Sequence, residues 1–186
     1  MPTKNRASLK PSRRPSASAK KPTGPGAQSA SLSLEGKRAP AFSLPDGDGH
    51  TVALKELIGS RNLVLYFYPK DMTPGCTVEA CGFRDNNDRL RSLGANVVGI
   101  SADSLASHTK FAEKHSLNFP LLADPENKVT RAYGVYKKKS LYGREFMGIE
   151  RTTFVIDKSG VVRKVFPKVK VDGHTDEVIA ALKELG

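Results

Sequence analysis

The chain has 186 residues, 38% of them hydrophobic, no tryptophan and a formal net charge of +11. That length supports one domain with a substantial core, and no apolar run approaches the roughly 18 residues of a membrane-spanning helix. Two cysteines are too few for a disulfide scaffold. No apolar segment follows the basic N-terminus as in a secretory signal, so a reducing intracellular compartment is expected, where a close cysteine pair points to redox chemistry.

The charge is unevenly spread. Seven of the 30 basic side chains and none of the 19 acidic ones fall in residues 1–34, so the rest of the chain carries only +4. Residues 1–33 are rich in Ser, Pro, Lys, Ala and Gly, with two leucines and no aromatic residue. Such a segment buries too little apolar surface to offset its ordering entropy and is expected to be a disordered tail. Three readings of it stay open: a solubilising linker, a segment making weak electrostatic contact with nucleic acid or an anionic surface, or an organellar targeting peptide. The expected compartment is the cytoplasm, with a nuclear or organellar alternative resting on this tail.

The globular part is expected over residues 34–186. "FSLPDGDGHTVAL" places turn residues 45–49 between apolar flanks and predicts a β-hairpin. "LKELIG" is a short helical turn, and "NLVLYFY" a buried strand. A loop follows, then a helix from about Cys76 to Leu93, stopped by Gly94. "NVVGIS" predicts a strand, "SLASHTKFAEKHS" an amphipathic helix capped by Ser104, "FPLLAD" a strand, and "PENKVTRAYG" a helix closing on Gly134. The basic run Lys137 to Lys139 is expected in a loop. "TTFVID" and "VVRKVF" flank the tight turn "KSG" as a second hairpin, and "GHTDEVIAALKEL" is the terminal helix. The alternation predicts an α/β sheet covered on both faces, with an N-terminal hairpin. No Gly-rich phosphate loop is present.

The chemistry concentrates in "YFYPKDMTPGCTVEACGFRD", residues 66–85, which holds both cysteines. A strand delivers the chain to a Pro- and Gly-containing loop, and Cys76 falls in the first turn of the next helix. Free backbone N–H groups and the positive end of the helix dipole favour a thiolate there. Cys81 is five positions further on. On an intact helix that spacing gives a rise of about 7.5 Å, a rotation of about 140° and a Cα separation of roughly 8–9 Å. A disulfide wants less than about 7 Å, so the pair can close only if the helix unwinds, and Gly82 lowers the cost of unwinding. Zinc is poorly supported, because two cysteines without a nearby His pair leave the ligand set incomplete.

The pattern P-x-x-x-T-x-x-C, present as Pro69, Thr73 and Cys76, resembles the active-site signature of peroxiredoxins, and the longer string resembles their Q-type branch, the bacterioferritin comigratory proteins. The resemblance continues through "SHTKFAEKHSLNFPLLAD", "YGVY" and "GIERTTFVID" and spans residues 34–186. It implies a thioredoxin-like fold, with a central mixed sheet flanked by helices, and thiol-dependent reduction of hydroperoxides. Carried over by position, Cys76 resembles the peroxidatic cysteine, Cys81 the resolving one, Thr73 the hydroxyl that contacts thiolate and peroxide, Pro69 the wall of the pocket, and Arg151 the guanidinium facing the sulfur. The implied reductant is thioredoxin or a similar dithiol. Glu79 fits the same string. A carboxylate there opposes the thiolate, so it is expected either to pair with an arginine, Arg84 or Arg151, or to cap the helix, and to take no catalytic step. His50, His108, His115 and His174 are expected to be surface or packing residues. No metal or organic cofactor is implied, and intrachain resolution permits a monomer.

Two other function classes compete. A disulfide oxidoreductase on the same fold is disfavoured by the absence of Cys-x-x-Cys. A nucleic-acid-associated protein with a redox-sensing domain rests on the tail alone.

Overall fold

The structure, a computed structural model of the chain, describes Ser31 and residues 33–185. The tail expected over residues 1–33 lies outside the described residues except for Ser31 and Ser33. The predicted N-terminal hairpin is present as β1 (Ser43–Pro45) and β2 (Thr51–Ala53). Its turn is held by Asp46, whose carboxylate accepts backbone N–H bonds from Asp48 and His50 at 3.0 and 2.9 Å. A single-turn helix, α1 (Leu54–Leu57), follows.

β3 (Asn62–Phe67) is buried at all six positions. Strand periodicity explains this: Leu63, Leu65 and Phe67 enter one core, while Val64, Tyr66 and the following Tyr68 enter another on the opposite face. After β3 come α2 (Pro74–Asp85), α3 (Asn87–Ser92), β4 (Ala95–Ser101), α4 (Leu105–His115), β5 (Leu121–Ala123) and α5 (Lys128–Ala132). The chain then forms β6 (Tyr136–Leu141), β7 (Arg144–Ile149), β8 (Thr152–Ile156), β9 (Val162–Pro167) and α6 (His174–Glu184). The central sheet has the order β5-β4-β3-β8-β9, parallel from β3 to β5 and antiparallel at β8 and β9. It is the mixed, helix-flanked sheet expected. Side chains of β1, α1 and α5 join the first core; those of α2, α3, α4 and α6 join the second.

Two expectations need correction. The helix expected from Cys76 to Leu93 starts earlier, at Pro74, and is broken after Asp85. The break falls at Asn86, whose φ of −104° and ψ of 8° leave the helical range; its side-chain amide and its backbone N–H both donate to the Gly82 carbonyl, at 3.0 and 3.2 Å. Asn87 then turns away to bond Asn118. The second correction concerns Lys137 to Lys139, which lie in β6 and pair with β7 rather than forming a loop. Ser104 caps α4 as expected, accepting from the Ser107 N–H.

Gly99 in β4 lies opposite Tyr66, and a Cβ there would sit 2.7 Å from Tyr66 Cζ and 2.8 Å from Leu121 Cδ2. Tyr66 is fully buried and packs on Tyr68, Phe83 and Phe119, so it has no room to withdraw. Gly99→Ala is therefore expected to destabilise the protein by about 1–3 kcal/mol, as overpacking does. Urea unfolding measures this, and an unchanged midpoint would show that the aromatic cluster yields.

Candidate active site

Thr73 is the N-cap of α2, with extended backbone, and Pro74 takes the first helical position, where its missing N–H costs nothing. Cys76 falls in the first turn, 1% exposed, at a helix end whose leading N–H groups have no intrahelical acceptor. The approach to this turn is strained. Met72 has φ +60° although it is not glycine, and its side chain is 41% exposed, so its own packing does little to secure it.

Arg151 reaches the sulfur from the start of the neighbouring strand, at the same end of the sheet. β3 ends at Phe67 opposite Thr152, the first residue of β8, so the loop to Cys76 and the residue before β8 leave the sheet side by side. Arg151 Nη2 donates to Cys76 Sγ at 3.2 Å, while Nη1 forms an ion pair with Glu79 Oε2. Gly75 makes room for this: a Cβ there would sit 3.3 Å from Nη2. Arg151 is thus the partner of Glu79; Arg84 bonds Asp85 and the His115 carbonyl instead.

Glu79 is buried, and its second oxygen, Oε1, has no hydrogen-bond partner among the described residues. Burial pushes its pKa up to about 7, against the pull of Arg151. Tyr66, beneath the same helix, is held well above its usual range, first by burial and then by Glu79 and Cys76, so its hydroxyl stays protonated.

Cys81 is half-buried, and both cysteines are reduced thiols on an unbroken α2. Gly82 beside it has a packing role that sequence reading missed: a Cβ would lie 2.9 Å from Thr175 Oγ1, at the start of α6. The Thr73 hydroxyl donates to the Lys70 carbonyl at 3.0 Å, and Pro69 is exposed in the loop ahead of it. His50 is exposed and His115 half-buried. His108 and His174 are buried, bonded to Asp71 and Thr153 respectively.

Lys139 lies in β6 rather than in the expected loop. It is half-buried, and its ammonium donates to the Ile149 carbonyl. Burial lowers its pKa, Glu150 and Cys76 oppose that shift, and Arg151 adds to it, which places Lys139 in the field of the site. Its neighbour Lys137 is buried in an ion pair with Glu150 at 2.7 Å. The available signal was period-2 alternation, with Lys137 and Lys139 on one face and Lys138 exposed. Among the described residues, Asp46, Asp48 and His50, in the turn between β1 and β2, bring potential metal-ligating atoms within 4.8 Å of one another.

A buried thiol at a helix start, faced by an arginine held by a carboxylate, on a mixed sheet with helices on both faces, defines a class. The AhpC/TSA family profile matches residues 36–165, and the chain belongs to that family. Its relatives place it among the peroxiredoxins, in the Bcp or peroxiredoxin Q branch, and it is a peroxidase of the oxidoreductase class. The chain is 49% identical to peroxiredoxin Bcp of Bacillus subtilis over 150 residues, covering 81% of this chain and 95% of the relative. It is 50% identical to that of Escherichia coli K12 over 149 residues, covering 80% and 95%. Among solved structures, the Xanthomonas campestris bacterioferritin comigratory protein, described for its alkyl peroxide reduction activity, superposes with a TM-score of 0.74 at 41% identity, covering 77% of this chain and 91% of that one.

The carboxyl of Glu79 gives a signed pH prediction. Its folded value of about 7 lies above the ordinary 4.5, so its stabilising proton is fully bound below that lower value and is lost as pH rises through the upper one. Relative to Glu79→Gln, the wild-type thermal midpoint should fall by roughly 5 °C between about pH 5 and pH 8. Parallel curves for the two proteins would show that Glu79 does not titrate in that window.

Proposed function

We propose that the chain reduces hydrogen peroxide and organic hydroperoxides through a sulfenic acid on Cys76, resolved by Cys81 and recycled by thioredoxin or a similar dithiol. The observation that carries this reading is the 3.2 Å bond from Arg151 to the buried Cys76 sulfur at the start of α2. The Cys76 thiolate attacks the terminal peroxide oxygen, the O–O bond breaks, and the departing alkoxide or hydroxide takes a proton to leave as alcohol or water. Negative charge moves onto that departing oxygen, and the guanidinium, a fixed fork of donors, stabilises it. Thr73 is the hydroxyl at the peroxide, and Pro69 screens the pocket.

The Cys81 thiol then displaces water from the sulfenic acid, giving the Cys76–Cys81 disulfide. The external dithiol exchanges with that disulfide and is itself oxidised, restoring both thiols. Both cysteines belong to one chain, so a monomer suffices. The cytoplasm, where such reductants reside, is the proposed compartment. The curated relatives above are bacterial proteins, which gives the nuclear alternative no support. Alkyl hydroperoxides are included because the X. campestris relative is described as reducing alkyl peroxide. The division into a tail of residues 1–33 and a catalytic domain of residues 34–186 belongs to the same reading. Leu34 packs against the core and Glu35 accepts the Val165 N–H, but Ser31 is already buried and accepts the Leu34 N–H at 3.2 Å, so the chain meets the domain a few residues before that boundary.

Peroxide turnover with thioredoxin and its reductase tests the assignment. Cys76→Ser should abolish turnover, since an alcohol is no comparable nucleophile near neutral pH. Cys81→Ser should consume about one equivalent of peroxide and stall as sulfenic acid or over-oxidise. Thioredoxin-linked turnover by Cys76→Ser would show the reading to be wrong.

The disulfide imposes a second test. Both cysteines lie on an intact α2 whose geometry keeps their Cα atoms roughly 8–9 Å apart, so oxidation must dissolve its first turns. Hydrogen exchange in peptides spanning residues 74–86 should be faster in the oxidised protein, while β3 stays protected. Equal protection in both forms, with the bond confirmed by mass spectrometry, would refute the unwinding.

A further inference from the structure

Three buried side chains next to the active-site loop have no part in the chemistry above. Tyr68 ends the β3 run, Asp71 lies in the loop, and His108 is on α4; their relative exposures are 1%, 4% and 1%. The Tyr68 hydroxyl donates to Asp71 Oδ1 at 2.7 Å, and the Ser107 hydroxyl donates to Asp71 Oδ2 at 2.7 Å. His108 Nδ1 lies 2.9 Å from the same Oδ2, and Nε2 lies 3.2 Å from the Leu122 carbonyl. Both ring nitrogens face oxygen partners, so the ring is held from both sides. The carboxylate is held below its ordinary pKa: burial raises it, but the bonds from His108, Ser107 and Tyr68 outweigh burial. The backbone is fixed as well, since the Asp71 N–H donates to Asp103 Oδ2 at 2.9 Å and Ser101 Oγ donates to that same oxygen at 2.7 Å.

The loop needs such fastening. Met72, directly after Asp71, is in the left-handed region with its side chain largely in solvent. A strained residue persists only where its surroundings over-determine it, and the contacts available for that are those of Asp71. Thr73 follows immediately, and its hydroxyl closes back on the Lys70 carbonyl at 3.0 Å. The course of the chain into Thr73 is thus set by the residue that His108 grips.

We propose that Asp71 and His108 are positioning residues for the peroxide pocket, fastening the Tyr68–Thr73 loop to α4 and holding Thr73 and Pro69 in register with Cys76. The proposal rests on Cys76 being the peroxidatic cysteine. Because the clamp lies before α2 in the chain, it holds one wall of the pocket in place while the helix on the other side unwinds.

The test compares two reactions of the same sulfur in a Cys81→Ser background of the full chain. One is sulfenic acid formation with hydrogen peroxide. The other is alkylation by iodoacetamide, which needs the thiol but not the peroxide-orienting wall. Asp71→Asn and His108→Gln should each slow the peroxide reaction by about tenfold and change alkylation by less than about twofold, since loss of orientation penalises only the oriented reaction. The double variant should be no slower than the slower single one, because the two residues act as one unit. In a Thr73→Val background the same substitutions should have little further effect. Tyr68→Phe, which keeps the ring packing and removes only the hydroxyl, should show the same selective loss in smaller degree, and it serves where the others fold poorly. The proposal is overturned if the peroxide rate is unaffected, if peroxide and alkylation rates fall together, or if the losses multiply in the double variant. A parent protein that is alkylated at Cys76 but never oxidised by peroxide would instead overturn the peroxidase reading.

Discussion

One guanidinium faces two buried acceptors, and much of the site follows from that division. Arg151 gives one nitrogen to the Cys76 sulfur and another to Glu79. Two anions and one cation in a buried pocket would leave a net negative charge, which a low-dielectric interior opposes. Raising the pKa of Glu79 to about 7 relieves this by letting the carboxyl hold a proton near neutrality. The carboxyl then orients the guanidinium without its full charge competing with the sulfur. Sheet topology makes the encounter possible: with Phe67 opposite Thr152, the Cys76 loop and Arg151 emerge at the same end of adjacent strands. Had β8 run parallel to β3, its opening residue would lie at the far end of the sheet.

α2 must satisfy opposing demands. It has to be helical to present Cys76 at a terminus rich in free N–H groups, and it has to come apart for Cys81 to reach that sulfur. Its buried residues are Cys76, Glu79, Ala80 and Phe83. Only Phe83 is a large apolar group, worth about 1.5–3 kcal/mol when buried, so most of what holds the helix down is one ring and the Glu79–Arg151 contact. Gly82 serves both demands. It permits close packing on Thr175 when the helix is formed and weakens the helix intrinsically. Asn86 confines the element, because its non-helical backbone separates α2 from α3 while its amide and N–H both close on the Gly82 carbonyl. Unwinding need not spread into the helix that packs against β4.

Sequence patterning revealed the parts governed by local rules. β3 was legible as a strand-length apolar run, and Cys76 as a helix-start cysteine after a Pro-containing loop. The helix break was not, because 3.6-residue periodicity continues across Asn86 and only the backbone conformation of that one residue interrupts the helix. The β6–β7 hairpin was missed for two reasons. Its turn residues, Tyr142 and Gly143, both have positive φ, which makes a primed hairpin turn without the usual Asn-Gly or Asp-Gly signal. Its lysines also read as a solvated run, although Lys137 is buried. Arg151 was legible only through the family resemblance; nothing local marks an arginine before a strand as a partner of a cysteine 75 residues earlier. Asp71 and His108, 37 residues apart, were not legible even through the resemblance, since their meeting depends on how α4 packs beside the end of β3.

The interior around Cys76 therefore combines two kinds of material. Upstream of the cysteine, Tyr68 and Asp71 are buried, with every side-chain oxygen bonded, and the loop is tied to Ser101, Asp103, Ser107 and His108. Downstream, the helix carries little apolar surface and a glycine, and one carboxylate oxygen goes unbonded. A satisfied buried polar network is costly to disturb, because each broken bond strands a desolvated partner, whereas a helix secured by few contacts opens at modest cost. Local stability in a protein follows such differences. A cysteine placed at their junction can leave its pocket without the pocket collapsing, and a site that alternates between attacking a peroxide and reaching a second sulfur requires that separation.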